Sequence, residues 1–413
     1  MLEHYLGIGY NARTRCMNKT YCAAAFNHIY TDTSSRYRLC CDAQPSARSI
    51  SAEEVLPFDY FFSPRMDSVR KKMLNGEKIP ECAHCYNLEE KNINSPRQWR
   101  FNWEQTRALK RPLPTKVLPR SIEIKLRIFG NKCNLSCYMC VPRNSTERIK
   151  ELNAMGDEYG NGIGKHDIFG RENSLYYEVT IDDNRYEEMV QHLIKYSEYI
   201  RRIVILGGEP FLMLRVRDFL NRFPNPDKKL NLVFNTNLAQ ISWLPEFYEK
   251  FPNLTLIVSV DHYGKKLEWL RYPIKVQKFE DNLIRARELS KYMSITCTVS
   301  RLNVVDIPEI YEYYHSDKFR VDDVNFNMVY WPPALSVKQL TEDQKGIVLG
   351  KLKRWINKDD PDKFQLRTMD LSEVIKVIKG APDPSLDPIF YDYIDRLDKH
   401  RGTNAREIFG NFI

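Results

Sequence analysis

Three cysteines fall within eight residues of the stretch KCNLSCYMC, at Cys133, Cys137 and Cys140. Structural zinc and ordinary ferredoxin-type clusters are closed by four protein ligands. Three thiolates leave one metal position open, where an exogenous ligand can bind. A second group comprises Cys16, Cys22, Cys40, Cys41, Cys82 and Cys85. The CxxC pair Cys82 and Cys85, with two thiols from the distant stretch holding Cys22 and Cys40, completes a four-ligand set. Cys16 or Cys41 could replace either of the latter two. In a reducing compartment such clustering points to metal ligands or catalytic groups and not to a disulfide framework. Cys297, alone in SITCTVS, reads as a small core residue.

These residues need a scaffold, and the chain is long enough to supply one. Its 413 residues are 43% hydrophobic, enough for a large core and two or three structural units. The net charge of +8 arises from 62 basic and 54 acidic residues dispersed along the chain. Nucleic acid is therefore permitted as a partner but not indicated. The opening MLEHYLGIGYNARTR lacks the apolar core of a secretory signal, and no apolar run approaches the ~18 residues of a membrane span. A cytoplasmic location without membrane attachment is the expectation.

Three regions follow along the chain. Residues 1–115 are turn-rich, with one helical stretch SPRMDSVRKKMLNG, and they leave through the proline-rich linker KRPLPTKVLPR. Residues 116–335 alternate strand-like runs (SIEIKLRIF, RRIVILGG, LNLVFNTN, LTLIVSVD, SITCTVS, DDVNFNMV) with amphipathic helical ones. That alternation predicts an α/β fold of parallel βα units, and six strands predict an open, partial (β/α)6 barrel. The glycine-rich NAMGDEYGNGIGKHDIFGRENS reads as a loop inserted near the barrel mouth. Residues 336–413 read as a helical extension.

The first barrel strand runs directly into the cysteine stretch, so the three thiols belong on a loop at a strand's C-terminal end, where parallel barrels carry their active sites. The spacing CxxxCxxC resembles the signature of the radical S-adenosylmethionine (radical SAM) superfamily. That resemblance implies a [4Fe-4S] cluster on Cys133, Cys137 and Cys140, with S-adenosylmethionine chelating the fourth iron and Met139 lying against its adenine. The second strand ends in RRIVILGGEPFLM. Gly207, Gly208, Glu209 and Pro210 resemble the family's motif for the amino group of S-adenosylmethionine, for which glycines permit close backbone approach and a carboxylate pairs with an ammonium. Asn237, Ser259, Asp261 and Ser300, at later strand ends, match positions near the ribose and carboxylate; each also has an ordinary reading as a cap or turn residue. Arg301 stands with Ser300 at the matching strand end, and Arg127 on the first strand either faces the carboxylate of S-adenosylmethionine or pairs with an acid at the core edge, the second being favoured.

The N-terminal cysteines resemble a twitch-type (SPASM-like) auxiliary domain, in which Cys22, Cys40, Cys82 and Cys85 hold a second [4Fe-4S] cluster. The resemblance spans roughly residues 20–340, with two departures. The cysteine-rich domain precedes the barrel here, and the usual glycine five positions ahead of the hairpin cysteine is Ser35. The resemblance implies reductive cleavage of S-adenosylmethionine to a 5'-deoxyadenosyl radical and hydrogen abstraction from a substrate, with the auxiliary cluster relaying electrons. An external one-electron donor such as flavodoxin or ferredoxin is implied. A peptide or protein substrate is favoured, with a small molecule second. The alternative is a non-catalytic module with zinc at both cysteine sites that recognises nucleic acid or protein.

Overall fold

A computed structural model describes residues 19–32, 34–45, 50–90, 95–98, 121–155, 168, 181–356, 371 and 374–413. The linker at 110–120, Cys16 and most of the glycine-rich loop lie outside the described residues. The chain divides into two compact units, one of Met1–Leu126 with Asp183–Arg202, the other of Arg127–Asp182 with Ile203–Ile413.

In the first unit, strand β1 (His28–Thr31) forms an antiparallel hairpin with β2 (Tyr37–Arg38), pairing Tyr30 with Arg38 and Thr31 with Tyr37. On its other side β1 runs parallel to β3 (Ile122–Leu126), the first of the expected strands. β1 and β2 themselves escape the sequence pattern, being only four and two residues long. The expected helix is α1 (Pro64–Leu74). Ser63 caps it by accepting a bond from the Met66 amide at 3.3 Å, Pro64 opens it, and Met66, Val69 and Met73 make its buried face. The Cys82-Cys85 pair is not a simple turn: a 3-10 turn (Pro80–Cys82) runs into α2 (Ala83–Glu90), so Cys85 lies on a helix.

The hairpin turn explains the departure at Ser35. Its φ is +54°, in the left-handed region, and its side chain is buried with a hydroxyl that finds no hydrogen-bond partner. A non-glycine residue costs about 1–2 kcal/mol in that conformation, partly offset by the extra unfolded-state entropy of glycine. Ser35→Gly is expected to stabilise the chain by roughly 1 kcal/mol, read as a higher denaturant midpoint. Ser35→Ala, which keeps the backbone penalty, should gain less.

In the second unit, β5 (Asn231–Thr236), β6 (Asn253–Val260), β7 (Tyr292–Val299) and β8 (Asp323–Met328) pair in parallel in sequence order, with Thr236 opposite Val258, Val260 opposite Cys297 and Val299 opposite Met328. Leu256, Val258, Val260, Ile295, Cys297 and Val299 are fully buried, while Ser259, Thr296, Thr298 and Asn325 on the opposite face are half-buried. This alternation is what a sheet covered by helices on one face requires. The ordinary core reading of Cys297 holds. β4 (Ile200–Ile205), the remaining expected strand, contains the division between the units. Helices α3 (Thr146–Ala154), α4 (Leu214–Arg222), α5 (Val276–Glu288) and α6 (Ile307–Tyr314) fall between or after the expected runs, so the chain is α/β with strands predominantly parallel. The C-terminal part is helical as expected, with α7 (Glu342–Ile356) and α8 (Asp387–Arg401), the latter closed by Gly402 at φ +65°. No helix among the described residues is long and apolar enough to cross a membrane.

Candidate metal and cofactor site

All nine described cysteines are free thiols. Cys133, Cys137 and Cys140 stand on one loop of the second unit, whose backbone is pinned at nearly every residue. The Cys133 amide meets the Thr146 hydroxyl at 3.2 Å, the Ser145 hydroxyl donates to Leu135 O at 2.8 Å, and the Cys140 amide turns back onto Cys137 O at 2.9 Å. The Ser136 and Tyr138 amides donate to Tyr272 O at 2.6 Å and Leu270 O at 3.0 Å. Burial pushes all three thiols up, Cys133 to about 12, and proximity adds to it: Cys137 raises Cys133, and both raise Cys140. Guanidinium groups act the other way. Arg271 points its Nη1 at Cys137 Sγ over 3.8 Å, and Arg148 and Arg401 also favour the Cys137 thiolate. Among the described residues no three His, Cys, Asp or Glu side chains converge on a single-ion site. The donor set is nevertheless of the kind that suits a metal-sulfur cluster: soft thiols held on a rigid loop, with fixed positive charge beside them to offset thiolate charge.

The segment from Gly207 to Pro210 is pressed against that loop. A Cβ on Gly208 would stand 2.2 Å from Lys132 O and 2.4 Å from Asn131 O, and one on Gly207 2.6 Å from Gly130 O. The glycines thus permit close contact between two backbone segments. The Glu209 amide completes the join by donating to Lys132 O at 2.7 Å, and Pro210 opens a short 3-10 turn.

Glu209 is fully buried. Its Oε1 accepts from Phe211 N at 3.1 Å and Thr236 Oγ1 at 2.7 Å, and its Oε2 accepts from Asn237 N at 2.7 Å. Three donors from its own chain make it first a pin between the β4 and β5 strand ends; one of a carboxylate's roughly four acceptor positions remains. Burial pushes its carboxyl up to about 7 from the usual 4.5, against the pull of those donors and of Arg271. Because the folded carboxyl binds its proton more tightly than the unfolded one, stability falls as pH rises from about 4.5 to about 7 and then levels. The slope is worth roughly 3 kcal/mol at most. Glu209→Gln should remove it, so that the gap between the two proteins' melting temperatures changes with pH between about 4.5 and about 7 and is constant outside that window.

The other candidates divide. Asn237 reaches the cysteine loop, its Nδ2 lying 3.1 Å from Asn134 Oδ1 and 3.8 Å from Cys133 Sγ. Ser259 is half-buried on the sheet face away from the buried row. Asp261 is wholly buried, forms an ion pair with Arg271 Nε at 2.7 Å and accepts from Thr298 N at 3.0 Å, so its carboxylate is committed to holding the arginine beside Cys137. Ser300 is buried in a turn, receiving the Tyr138 hydroxyl and bonded through its own amide to Asn303 at 2.8 Å. For Asp261 and Ser300, then, intramolecular partners occupy the groups expected to face a ligand. Arg301 is likewise structural, stacked 4.0 Å over Phe390 and paired with Asp387 at 3.0 Å. Met139 is half-buried against the core that contains Tyr138 and Trp269. A cavity of about 490 Å³ lies one residue beyond Asp261, lined by His262, Lys266, Asn404 and Glu407 among others, and includes none of the predicted site residues.

Arg271, Thr236, Tyr138, Arg148 and Arg401 were not singled out from the sequence. Their roles come from burial beside the loop, which no local pattern encodes.

In the first unit Cys22, Cys40, Cys82 and Cys85 are all buried. Burial raises each thiol, and neighbouring thiols raise three of them further: Cys82 and Cys85 act on Cys22, Cys22 and Cys41 on Cys40, and Cys40 and Cys85 on Cys82, while Cys85 is raised besides by Asp42 and Glu89. Cys41 is only partly buried and sends its thiol to Asp42 Oδ2 at 3.2 Å.

No protein-family model and no curated protein matches the chain. Among solved structures, it is similar to anSMEcpe with bound AdoMet and the Cp18Cys peptide, at 16% identity and a TM-score of 0.38 over 57% of this chain and 60% of that one. It is similar also to Streptococcus suis SuiB bound to precursor peptide SuiA, at 14% identity and a TM-score of 0.36 over 87% of this chain and 63% of that one. A third is TYW1 with a lysine-pyruvate adduct, at 14% identity and a TM-score of 0.28 over 70% and 94%. The alignment takes in about three fifths of the length of the anSMEcpe and SuiB structures.

Proposed function

We propose that this chain is a radical SAM enzyme. The observation that carries it is the junction just described: three thiols on one loop, against which the Gly-Gly-Glu-Pro segment packs so closely that Gly208 has no room for a side chain. Cys133, Cys137 and Cys140 would hold three irons of a [4Fe-4S] cluster, leaving the fourth for S-adenosylmethionine. When bound, that pair supplies reductive cleavage to a 5'-deoxyadenosyl radical and hydrogen abstraction from substrate. The chain's part is to place and shield it. Arg271, fixed by Asp261, sets a positive charge at Cys137; Asn237 faces Cys133; the remaining acceptor position of Glu209 and the half-buried Ser259 are the groups left to meet a ligand.

The four buried thiols of the first unit would hold an auxiliary [4Fe-4S] cluster, with Cys22 and Cys40 favoured over Cys41 because Cys41 turns to Asp42. With four protein ligands that cluster has no open position, so its role is electron relay. In this reading residues 1–115 carry the relay, 116–335 the barrel and 336–413 an extension. An external one-electron donor such as flavodoxin or ferredoxin is required. We propose a peptide or protein as substrate. Tyr330 and Trp331, 57% and 45% exposed just beyond the C-terminal end of β8, support that class, since such amphipathic rings are favoured in polypeptide recognition. The tyrosines of YEYYHS do not add to it: Tyr311 and Tyr314 are core residues, and Tyr313, half-buried, is stacked on Tyr263 and bonded to Glu280.

Anaerobic purification tests the proposal. The expected protein is brown, holds about eight irons per chain and, once reduced, forms 5'-deoxyadenosine from S-adenosylmethionine. Colourless protein with stoichiometric zinc would overturn it.

A further inference from the structure

Helix α8, in the C-terminal extension, has an apolar face of Phe390, Tyr393, Ile394 and Leu397 buried in one core with Tyr138 and Trp269. Polar groups of the same helix reach the carbonyl oxygens of Ser136 and Tyr138, the residues on either side of Cys137. Arg401, whose side chain is completely buried, donates Nη2 to Ser136 O at 2.6 Å and Nη1 to Trp269 O at 2.9 Å. Its Nε and Nη2 also bind Glu151 of α3 at 2.7 and 2.9 Å. The Tyr393 hydroxyl donates to Tyr138 O, and Arg148 reaches the same oxygen at 3.4 Å. With the Ser136 and Tyr138 amides already bonded to Tyr272 and Leu270, all four backbone groups on either side of Cys137 are held. Two of them are held by α8.

Buried hydrogen bonds from a guanidinium to carbonyls are among the stronger fixed contacts in a protein, and a planar fork sets direction as well as distance. Arg401 is the last residue of α8, and the left-handed Gly402 ends the helix there. Its fork points inward because Arg401 continues the buried face of Phe390, Ile394 and Leu397 at helical spacing.

We propose that Arg401 is a positioning residue for the middle thiol of the triad, and that the C-terminal extension is part of the housing of the cysteine loop. The clamp itself depends only on the contacts above; its consequence for a cluster rests on the proposed function.

The test uses Arg401→Gln and Arg401→Lys in the full chain, with Arg406→Ala, which removes only an exposed pair with Asp395, as control. In protein prepared without iron, hydrogen exchange at the Ser136 and Tyr138 amides should accelerate about tenfold or more in Arg401→Gln and stay unchanged in Arg406→Ala. Arg401→Lys, which restores the charge without the fork, should fall between. In reconstituted protein, the electron paramagnetic resonance of the reduced cluster in the presence of S-adenosylmethionine should change in Arg401→Gln and return partway in Arg401→Lys, whereas a merely structural role would lower the melting temperature and leave the spectrum alone. If Arg401→Gln does not fold, Tyr393→Phe, which removes one hydroxyl from Tyr138 O, should give the same two changes in smaller size. Unaltered exchange, or faster exchange with an unaltered spectrum, overturns the proposal. A wild-type protein that takes up no iron would instead sink the proposed function, and the exchange measurement would still decide the clamp.

Discussion

Cys137→Ala protein, purified anaerobically and reduced, is expected to form no 5'-deoxyadenosine from S-adenosylmethionine while keeping about half of the wild-type iron. Cys137 is the middle thiol of the triad, buried, with a guanidinium 3.8 Å from its sulfur. Alanine removes one of the three thiolates of the triad and leaves Arg271 in its ion pair with Asp261. The iron that remains should be that of the first unit, whose four thiols do not include Cys137. Elemental analysis and chromatography of the nucleoside product read the two effects separately. Retained cleavage would remove the triad from the active site; loss of all iron would mean that the first unit's thiols hold no cluster.

The second large effect is the converse. Cys82→Ala combined with Cys85→Ala takes away half of a four-thiol group, and a cluster with two exposed irons does not persist. Iron should again fall by about half, but formation of 5'-deoxyadenosine should survive, because the triad's contacts come from Thr146, Leu270, Tyr272 and the segment from Gly207 to Glu209. Turnover of the true substrate should be lost if the auxiliary cluster relays electrons. Unchanged iron content would show that Cys82 and Cys85 are not cluster ligands. The two experiments together separate a relay from a structural zinc, since zinc in the first unit predicts no loss of iron when Cys82 and Cys85 are replaced and loss of all of it in Cys137→Ala.

Strand order and helix rhythm were legible because apolar runs and amphipathic stretches carry their periodicity locally: all six expected strands are present as β3 to β8. β1 and β2 were not, because a strand of four residues and one of two have no period to detect and exist through pairing with partners elsewhere in the unit. Ser35 shows both sides. Its place before Cys40 marked it as a substituted glycine position, and the structure supplies the reason in a left-handed φ that serine adopts at a cost.

By itself the sequence determined which residues could do chemistry: thiols spaced for three ligands and for four, and a Gly-Gly-Glu-Pro turn at a strand end. Spacing along a chain is a local property, and ligand sets on short loops are written in it. Only the tertiary structure decided what those residues face. It turned the Gly207 and Gly208 backbone onto the cysteine loop, committed Asp261 to Arg271 and Ser300 to Tyr138, and brought Arg401 from 265 positions along the chain to within 2.6 Å of the Ser136 carbonyl oxygen. Buried charge and backbone polar groups must find partners wherever the fold offers them. Those partners lie far apart in sequence, so they come into view only when the chain is folded.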